Sequence, residues 1–163
     1  MNQIIHLFLF IFILGTSVDA QNIYKDAIVL DANKSATAHM VQDVSTYMGY
    51  MHPNIIEMGG GKDLMKDIIS TQIGTFKQMN VEMVSINFED PSTVVTAGEE
   101  LHCTISGIIK LKLGEDDFDT PINLLAASQD SGESWKFIDL ALYNAQSLKL
   151  YLPDYNDALV LPE

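Results

Sequence analysis

Arginine is absent from this chain of 163 residues, so its nine strongly basic side chains are all lysines. They face 22 acidic side chains, and the formal net charge is −13 at pH 7. Arginine is the residue that binds phosphate and carboxylate groups through two parallel hydrogen bonds. An acidic chain without it is a poor partner for nucleic acid or for an anionic membrane surface. We therefore expect no nucleic-acid partner, and solubility is the simplest role for the negative charge.

Cysteine occurs once, at Cys103. A single cysteine excludes an intramolecular disulfide and the zinc sites that need two or four thiolates. Cys103 lies in an alternating apolar run, which favours a small buried side chain. Its neighbour His102 would point to the opposite face of a strand, so the two residues do not form a thiol–imidazole pair.

Recognisable metal and phosphate motifs are also missing. The histidines of residues 21–163 lack zinc-binding spacing, and the acidic residues Glu115, Asp116, Asp117 and Asp119 lack the spacing of an EF-hand. Residues 59–62 read Gly-Gly-Gly-Lys, but Ile56 stands where a phosphate loop needs glycine and Asp63 where it needs Ser or Thr. We expect neither a metal site nor a cofactor.

The amino-terminal segment has the pattern of an export signal. Residues 4–14 are apolar except for His6, and Val18-Asp19-Ala20 precedes Gln21. This run of about 11 residues is short for a membrane span, which needs about 20, and small residues follow it. The sequence predicts a signal peptide over 1–20 and therefore an exported protein, periplasmic or extracellular. We expect no membrane span once the leader is removed. The alternative is an uncleaved membrane anchor.

Residues 21–163 are predicted to form one domain whose helices precede its strands. Helical periodicity covers about residues 23–41 and 43–50, and a stripe of Met65, Ile69, Ile73 and Phe76 predicts a third helix over about 62–79. Apolar alternation predicts strands at about 81–88, 101–113, 122–128 and 135–141. Gly107 suggests a bulge or bend. The fold class is therefore α+β, with three N-terminal helices packed on a curved antiparallel sheet of about four to five strands.

One turn has a motif that predicts its structure. Ser128, Asp130, Gly132 and Trp135 have the form Ser-x-Asp-x-Gly-x-x-Trp, which resembles the Asp box of sialidase propellers and other β proteins. Asp130 can bind turn amides, Gly132 can take a positive φ, and Trp135 can pack beneath the turn. We interpret the four residues as a structural hairpin, and one copy is no sign of a glycosidase.

A cluster of aromatic residues and methionines surrounds one histidine. Tyr47, Tyr50 and Met51 are close to His52 in sequence, and Met65 and Ile69 lie on the stripe of the third predicted helix. Methionine adapts to irregular gaps and to apolar ligands. These six residues are our candidates for a ligand pocket, while packing at a helix end is the more ordinary role for His52.

Taken together, the order of elements resembles the nuclear transport factor 2-like superfamily, which includes the SnoaL-like proteins. The resemblance is in residues 43–61, in Lys62-Asp63-Leu64-Met65, in His52-Pro53 with Met58-Gly59-Gly60, and in the run Ser128 to Asp139. It covers about residues 22–142. It implies a cone-like fold with a pocket between sheet and helices, and in many members a homodimer through the exposed sheet face.

Two functions follow from this resemblance. The first is binding of an apolar or amphipathic ligand, or of a protein partner, without catalysis. The alternative is an isomerase or lyase in which a pocket His, Tyr or Asp pair serves as acid and base, with His52, Tyr47, Tyr50 and His102 as candidates. A third possibility is an interaction module with an exposed apolar patch and no cavity.

Overall fold

The computed structural model describes residues 23–162, so the predicted signal peptide lies outside the described residues. Four helices precede the strands: α1 (Lys25–Met40), α2 (Val44–Gly49), α3 (Pro53–Met58) and α4 (Lys62–Gln78). The strands are β1 (Val81–Phe88), β2 (Val95–Ala97), β3 (Glu100–Leu113), β4 (Asp116–Ser128) and β5 (Lys136–Asp139). A last helix, α5 (Ala145–Tyr151), follows them. The α+β class and the order predicted from sequence are confirmed.

All strand pairs in the sheet are antiparallel, and the sheet is curved. The order is β1-β3-β4-β5, and β2 pairs with the beginning of β3. The register shifts in β1, between Met83 and Ser85, while β3 continues through Gly107 without a shift. Gly107 is needed for close approach, because a Cβ there would lie 2.6 Å from the carbonyl oxygen of Asn87.

The structure has two helices that the sequence pattern does not predict, α3 among the N-terminal helices and α5 after the strands. His52 is extended (φ −62°, ψ 132°), as a residue before proline should be, but Pro53 then begins α3. Proline suits the first position of a helix because it has no amide hydrogen to leave unbonded. The His-Pro pair therefore ends one helical segment and starts the next.

The hydrophobic core consists of two clusters on opposite faces of the sheet. The α1-side core joins α1 to strand residues of one face: Ile28, Ala32, Cys103, Ile105, Leu124, Ala126, Trp135 and Phe137. The α4-side core joins α3, α4, α5 and the chain end to the other face: Ile55, Met65, Ile69, Leu125, Ala127, Ile138, Leu148, Leu152, Tyr155 and Leu159. Because successive strand residues point to opposite faces, β4 supplies both cores in turn.

The two cores cover one half of the sheet and leave the other half open. Residues 124–128 of β4 are buried, whereas residues 116–121 are exposed. No helix within residues 23–162 has both the length and the apolar character that crossing a membrane requires. Near the start of β1, the ends of α1 and α4 lie beside the exposed half of the sheet.

Candidate functional site

The structure divides the six predicted pocket residues among three environments. Met65 and Ile69 belong to the α4-side core, and Tyr47 and Met51 pack against it. Tyr50 packs against the α1-side core on the opposite face of the sheet. His52 is fully buried. Neither of the two cavities described below is lined by any of the six, so their role in binding stays a prediction.

The predicted hairpin has a dense set of hydrogen bonds around one carboxylate. Asp130 Oδ1 accepts from the Ser134 amide at 2.9 Å and from the Ser128 hydroxyl at 2.8 Å. Asp130 Oδ2 accepts from the Ser134 hydroxyl at 2.6 Å. These bonds favour the charged carboxylate, those from Ser134 most strongly, and they lower the pKa of Asp130 from 3.8 to about 2.

Below this turn, Trp135 connects the hairpin to the first helix. Its indole Nε1 donates to the carbonyl of Gly132 at 3.2 Å, and its backbone amide donates to Oδ2 of Asp31 in α1 at 3.1 Å. Gly132 has φ +93°, and a Cβ there would collide with the ring of Tyr24. That ring packs edge-on against Trp135, with centroids 5.9 Å apart. The turn is therefore tied to α1 by a buried side chain and a close ring contact.

A buried acid–base cluster lies at the start of β3, formed by Glu100, His102 and His52. Glu100 Oε2 is 2.8 Å from His102 Nε2 and 3.5 Å from His52 Nε2. Glu100 Oε1 accepts from the amide of Gln129 at 2.6 Å. The two histidines are 0% and 1% exposed. The cluster therefore joins the α2–α3 connection, β3 and the end of β4 through one carboxylate.

The electrostatics of this cluster follow from its hydrogen bonds. The bond from His102, followed by the contact with His52, holds the pKa of Glu100 well below its usual range. His52 Nδ1 accepts a hydrogen bond from the Asn54 backbone amide at 3.3 Å and so caps α3. Because Nδ1 is an acceptor, the proton of a neutral His52 ring is on Nε2. His102 Nδ1 and His52 Nε2 are buried without a hydrogen-bond partner within residues 23–162.

This arrangement is chemically suited to proton transfer, but both imidazoles are closed to solvent, and only the Glu100 side chain is partly exposed, at 20%. Neither imidazole lines either of the two cavities. Among the described residues no group of three or more His, Cys, Asp and Glu side chains could hold a metal ion, this cluster included. Sequence reasoning missed Glu100. The available signal was its position two residues before His102, since alternate residues of a strand share a face.

The larger of the two cavities, which we name the edge cavity, has a volume of about 510 Å³. It lies where the carboxyl ends of α1 and α4 meet the beginning of β1 and the end of β3. Its apolar lining consists of Met40, Ile73, Phe76, Val81 and Met83. Its polar lining consists of His39, Gln42, Lys77, Asn80, Glu82 and Lys112, and Gly114 completes it. The edge cavity is thus amphipathic.

Charge in the edge cavity comes from three exposed side chains. Lys77 and Lys112 are positive, and Glu82 is the cross-strand neighbour of Lys112 in the β1–β3 pairing. Burial lowers the pKa of His39, which favours the neutral ring at neutral pH. His39 also packs edge-on against Tyr47, with centroids 4.9 Å apart. The lining therefore carries one more positive than negative charge.

A second cavity of about 380 Å³ lies on the exposed half of the sheet. Val84, Lys110, Leu111, Asp117 and Asp119 line it. Two carboxylates against one lysine give this cavity a negative balance, the opposite of the edge cavity.

No protein-family model matches this chain, and no curated protein sequence matches it. Among solved structures, the chain is similar to that of an NTF2-like protein from Cytophaga hutchinsonii ATCC 33406, with 20% sequence identity and a TM-score of 0.43. The similarity covers 69% of this chain and 91% of that chain.

Proposed function

We propose that this protein binds an amphipathic ligand in the edge cavity without catalysing a reaction. The observation that carries the proposal is the mixed lining of the cavity, in which five apolar side chains lie beside six polar ones. Ligand sites in proteins have volumes of about 300 to 1,000 Å³ and combine apolar walls with a few polar groups. A volume of about 510 Å³ admits a molecule of drug-like size. None of the six residues that the sequence suggests as pocket residues lines this cavity.

The edge cavity is a better place for a ligand than the buried core, because its apolar side chains are partly accessible to solvent. Phe76 and Val81 are half-buried and leave apolar surface at the cavity wall. Met40, the last residue of α1, is 36% exposed at the same site. Burial of such apolar surface by a ligand yields about 25 cal/mol for each Å² removed from water.

Binding of a neutral fluorescent probe tests this proposal. N-phenyl-1-naphthylamine is apolar, and we expect saturable binding with increased fluorescence. Met40→Trp should fill the cavity mouth and weaken binding, while Leu30→Trp, an exposed position on the same helix outside the cavity lining, should not. Absence of saturable binding, or equal effects of the two variants, would contradict the proposal.

A second candidate function is an isomerase or lyase, favoured by the position of Glu100 between two buried imidazoles. A carboxylate that orients an imidazole is a recurrent acid–base arrangement. Such chemistry needs a route for substrate to His52 or His102. Modification of either ring by diethyl pyrocarbonate in the folded protein, at a rate close to that of half-buried His39, would support it. Protection of both rings would count against it.

Export and self-association are further parts of the proposal. Removal of residues 1–20 during export predicts a mature protein that begins at Gln21, which amino-terminal sequencing of the secreted protein would test. A homodimer through the sheet face is supported by the exposed apolar side chain of Phe118 on the open half of β4. Phe118→Glu should then shift the mass in sedimentation equilibrium from dimer to monomer; a monomeric wild type would exclude the dimer.

A further inference from the structure

We infer that the buried cluster of Glu100, His52 and His102 is a proton switch, in which His52 takes up a second proton and releases the start of α3. The inference is independent of the ligand proposed for the edge cavity. It rests on the fully buried ring of His52, which lies between the Asn54 amide and the carboxylate of Glu100. Histidine ordinarily changes its charge between about pH 5 and pH 8, so mild acid is the signal.

The ring of His52 has a different neighbour at each nitrogen atom. Nδ1 accepts the hydrogen bond of the Asn54 amide at 3.3 Å, and Nε2 lies 3.5 Å from Glu100 Oε2. A second proton can bind only at Nδ1, because Nε2 already carries the proton of the neutral ring. That proton turns the acceptor into a donor that faces another N–H group. The bond to Asn54 is then lost, and α3 loses its side-chain cap.

The backbone around His52 determines which part moves. The His52 amide donates to the carbonyl of Phe137 at 3.1 Å, and the Phe137 amide donates to the carbonyl of Tyr50 at 2.7 Å. These bonds fix residues 50–52 to β5. α3 begins at the next residue, Pro53, and has only six residues. The ring is therefore held in place, and the start of the short helix is the part that moves away from it.

His102 is a poorer site for the second proton. Its Nε2 is bonded to Glu100 Oε2 at 2.8 Å, and its Nδ1 is buried without a partner among the residues that the structure describes. A proton on Nδ1 would create a buried N–H group without an acceptor, which is costly. The residues beside His102 in the sheet, Val95 of β2 and Ala127 of β4, have no polar side chain to accept it.

Glu100 supplies the charge that favours proton uptake. Its hydrogen bond with His102, then its contact with His52, holds the pKa of this carboxyl well below its usual range, so Glu100 stays negative in mild acid. While both rings are neutral, the cluster carries one negative charge. A proton on His52 converts it into an ion pair, and the electrostatic gain opposes the loss of the cap. The two effects are of similar size, which is what a switch needs.

The elements around the cluster add no opposing charge. α3 contributes Asn54 and the end of β4 contributes Gln129, both neutral amides. Within residues 23–162, the ion pairs of Glu100 are with the two imidazoles and not with a lysine. Glu99 is exposed, and Asp154 packs against the turn that precedes β3. Both are carboxylates, which favour a proton on a nearby ring.

α5 receives the movement of α3. The side-chain amide of Asn54 donates to the carbonyl of Tyr151, the last residue of α5, at 2.7 Å. Ile55 of α3 and Leu148 of α5 also share the α4-side core. In mild acid, α3 and the end of α5 should therefore loosen together while α4 stays folded.

Nuclear magnetic resonance of the isotope-labelled protein, from about pH 7.5 to about pH 5, tests the inference. Ring nitrogen shifts report which nitrogen atoms of His52 carry a proton. We expect Nδ1 to become protonated and the Asn54 amide resonance to move with the same midpoint. Hydrogen-exchange protection factors in α3 should fall by about fivefold over this range, the typical effect of a lost N-cap, while those in α4 should not change.

Substitutions separate the switch from simple destabilisation. His52→Asn keeps an acceptor that suits an N-cap but cannot take up a proton, so it should remove the pH dependence of protection in α3. His39→Gln is the matched control, because His39 is half-buried at the edge cavity, and it should leave that dependence unchanged. Glu100→Gln should move proton uptake by the His52 ring to lower pH, because the ion pair is lost.

Three results would overturn the inference. The first is a His52 ring whose Nδ1 stays unprotonated down to about pH 5. The second is protonation of Nδ1 without a change at Asn54 or in the protection of α3. The third is equal pH dependence of α3 in His52→Asn and the wild type, which would assign the effect to another group. If His52→Asn does not fold, the wild-type ring shifts and the Asn54 resonance still decide the question.

Discussion

The carboxylate of Glu100 and the imidazole of His102 form a hydrogen bond of 2.8 Å in which the histidine is almost fully buried. The two residues are separated by one position, so they extend from the same face of β3. Removal of the Glu100 carboxylate would leave the buried Nε2 of His102 without its hydrogen-bond partner, which would destabilise the fold. The behaviour of the protein at low pH should reflect this bond.

We expect acid to destabilise the protein through Glu100. The pKa of this carboxyl is lowered in the folded state, so the stabilisation is complete above its ordinary value of 4.5 and is lost as the pH falls below that value. Glu100→Gln should lower the melting temperature at pH 7 and flatten the decline between pH 5 and pH 3. Differential scanning calorimetry across that range measures both effects.

The neighbouring Glu99 provides the control for this experiment, because it is exposed and is the next residue in the chain. Glu99→Gln should leave the melting temperature and its pH dependence close to those of the wild type. A Glu100→Gln variant that declines in acid as steeply as the wild type would show that other groups cause the acid sensitivity.

Asp130→Ala should destabilise the hairpin by about 1 kcal/mol, because the amide and hydroxyl of Ser134 and the hydroxyl of Ser128 lose their common acceptor. Asp130 is itself exposed, so its hydrogen bonds and not its charge dominate the effect. Urea denaturation measures the change. Glu133→Ala, in the same turn, should have little effect, and an unchanged midpoint for Asp130→Ala would exclude the structural role.

Gly132→Ala should destabilise the protein by about 1–3 kcal/mol for two separate reasons. The new Cβ would meet the ring of Tyr24, and φ +93° is unfavourable for any residue with a side chain. The double variant Gly132→Ala/Tyr24→Ala separates these causes in a thermodynamic cycle measured by denaturation. If the steric contact matters, the two substitutions will be less harmful together than their sum.

Cys103 should be unreactive in the native protein. Its side chain is fully buried in the α1-side core, and burial raises the pKa of the thiol to about 12. We expect no reaction with 5,5′-dithiobis-(2-nitrobenzoic acid) at pH 8 and complete reaction in denaturant. Rapid labelling of the folded protein would mean that this core opens readily.

Local patterns in the sequence predict much of the fold. The strand at residues 81–88 was placed at the observed bounds, and the stripe containing Met65 and Ile69 predicted the face of α4 that is buried. α3 was missed because Pro53 marks the end of the preceding helical segment and is also the first residue of a new helix. Asn144 and Ser147 form a capping box at the start of α5, and this pair is a sequence signal for a helix that apolar periodicity does not reveal.

The arrangement of the site was harder to predict, because it depends on the docking of distant segments. The continuous apolar run Leu124 to Ala127 is typical of a strand covered on both faces, and the structure places its residues in two cores. In the structure, α1 packs on one face of the sheet and α3, α4 and α5 pack on the other. The edge cavity instead brings together Met40, Phe76 and Lys112, whose proximity no local pattern encodes.

The hydrogen bond between Asp31 and the amide of Trp135 spans 104 positions of the chain. During synthesis from the amino end, α1 emerges early, yet the partner that fixes it emerges when most of the protein has been made. Contacts of such long range are formed slowly in folding. The docking of α1 therefore cannot be completed until Trp135 has been synthesised.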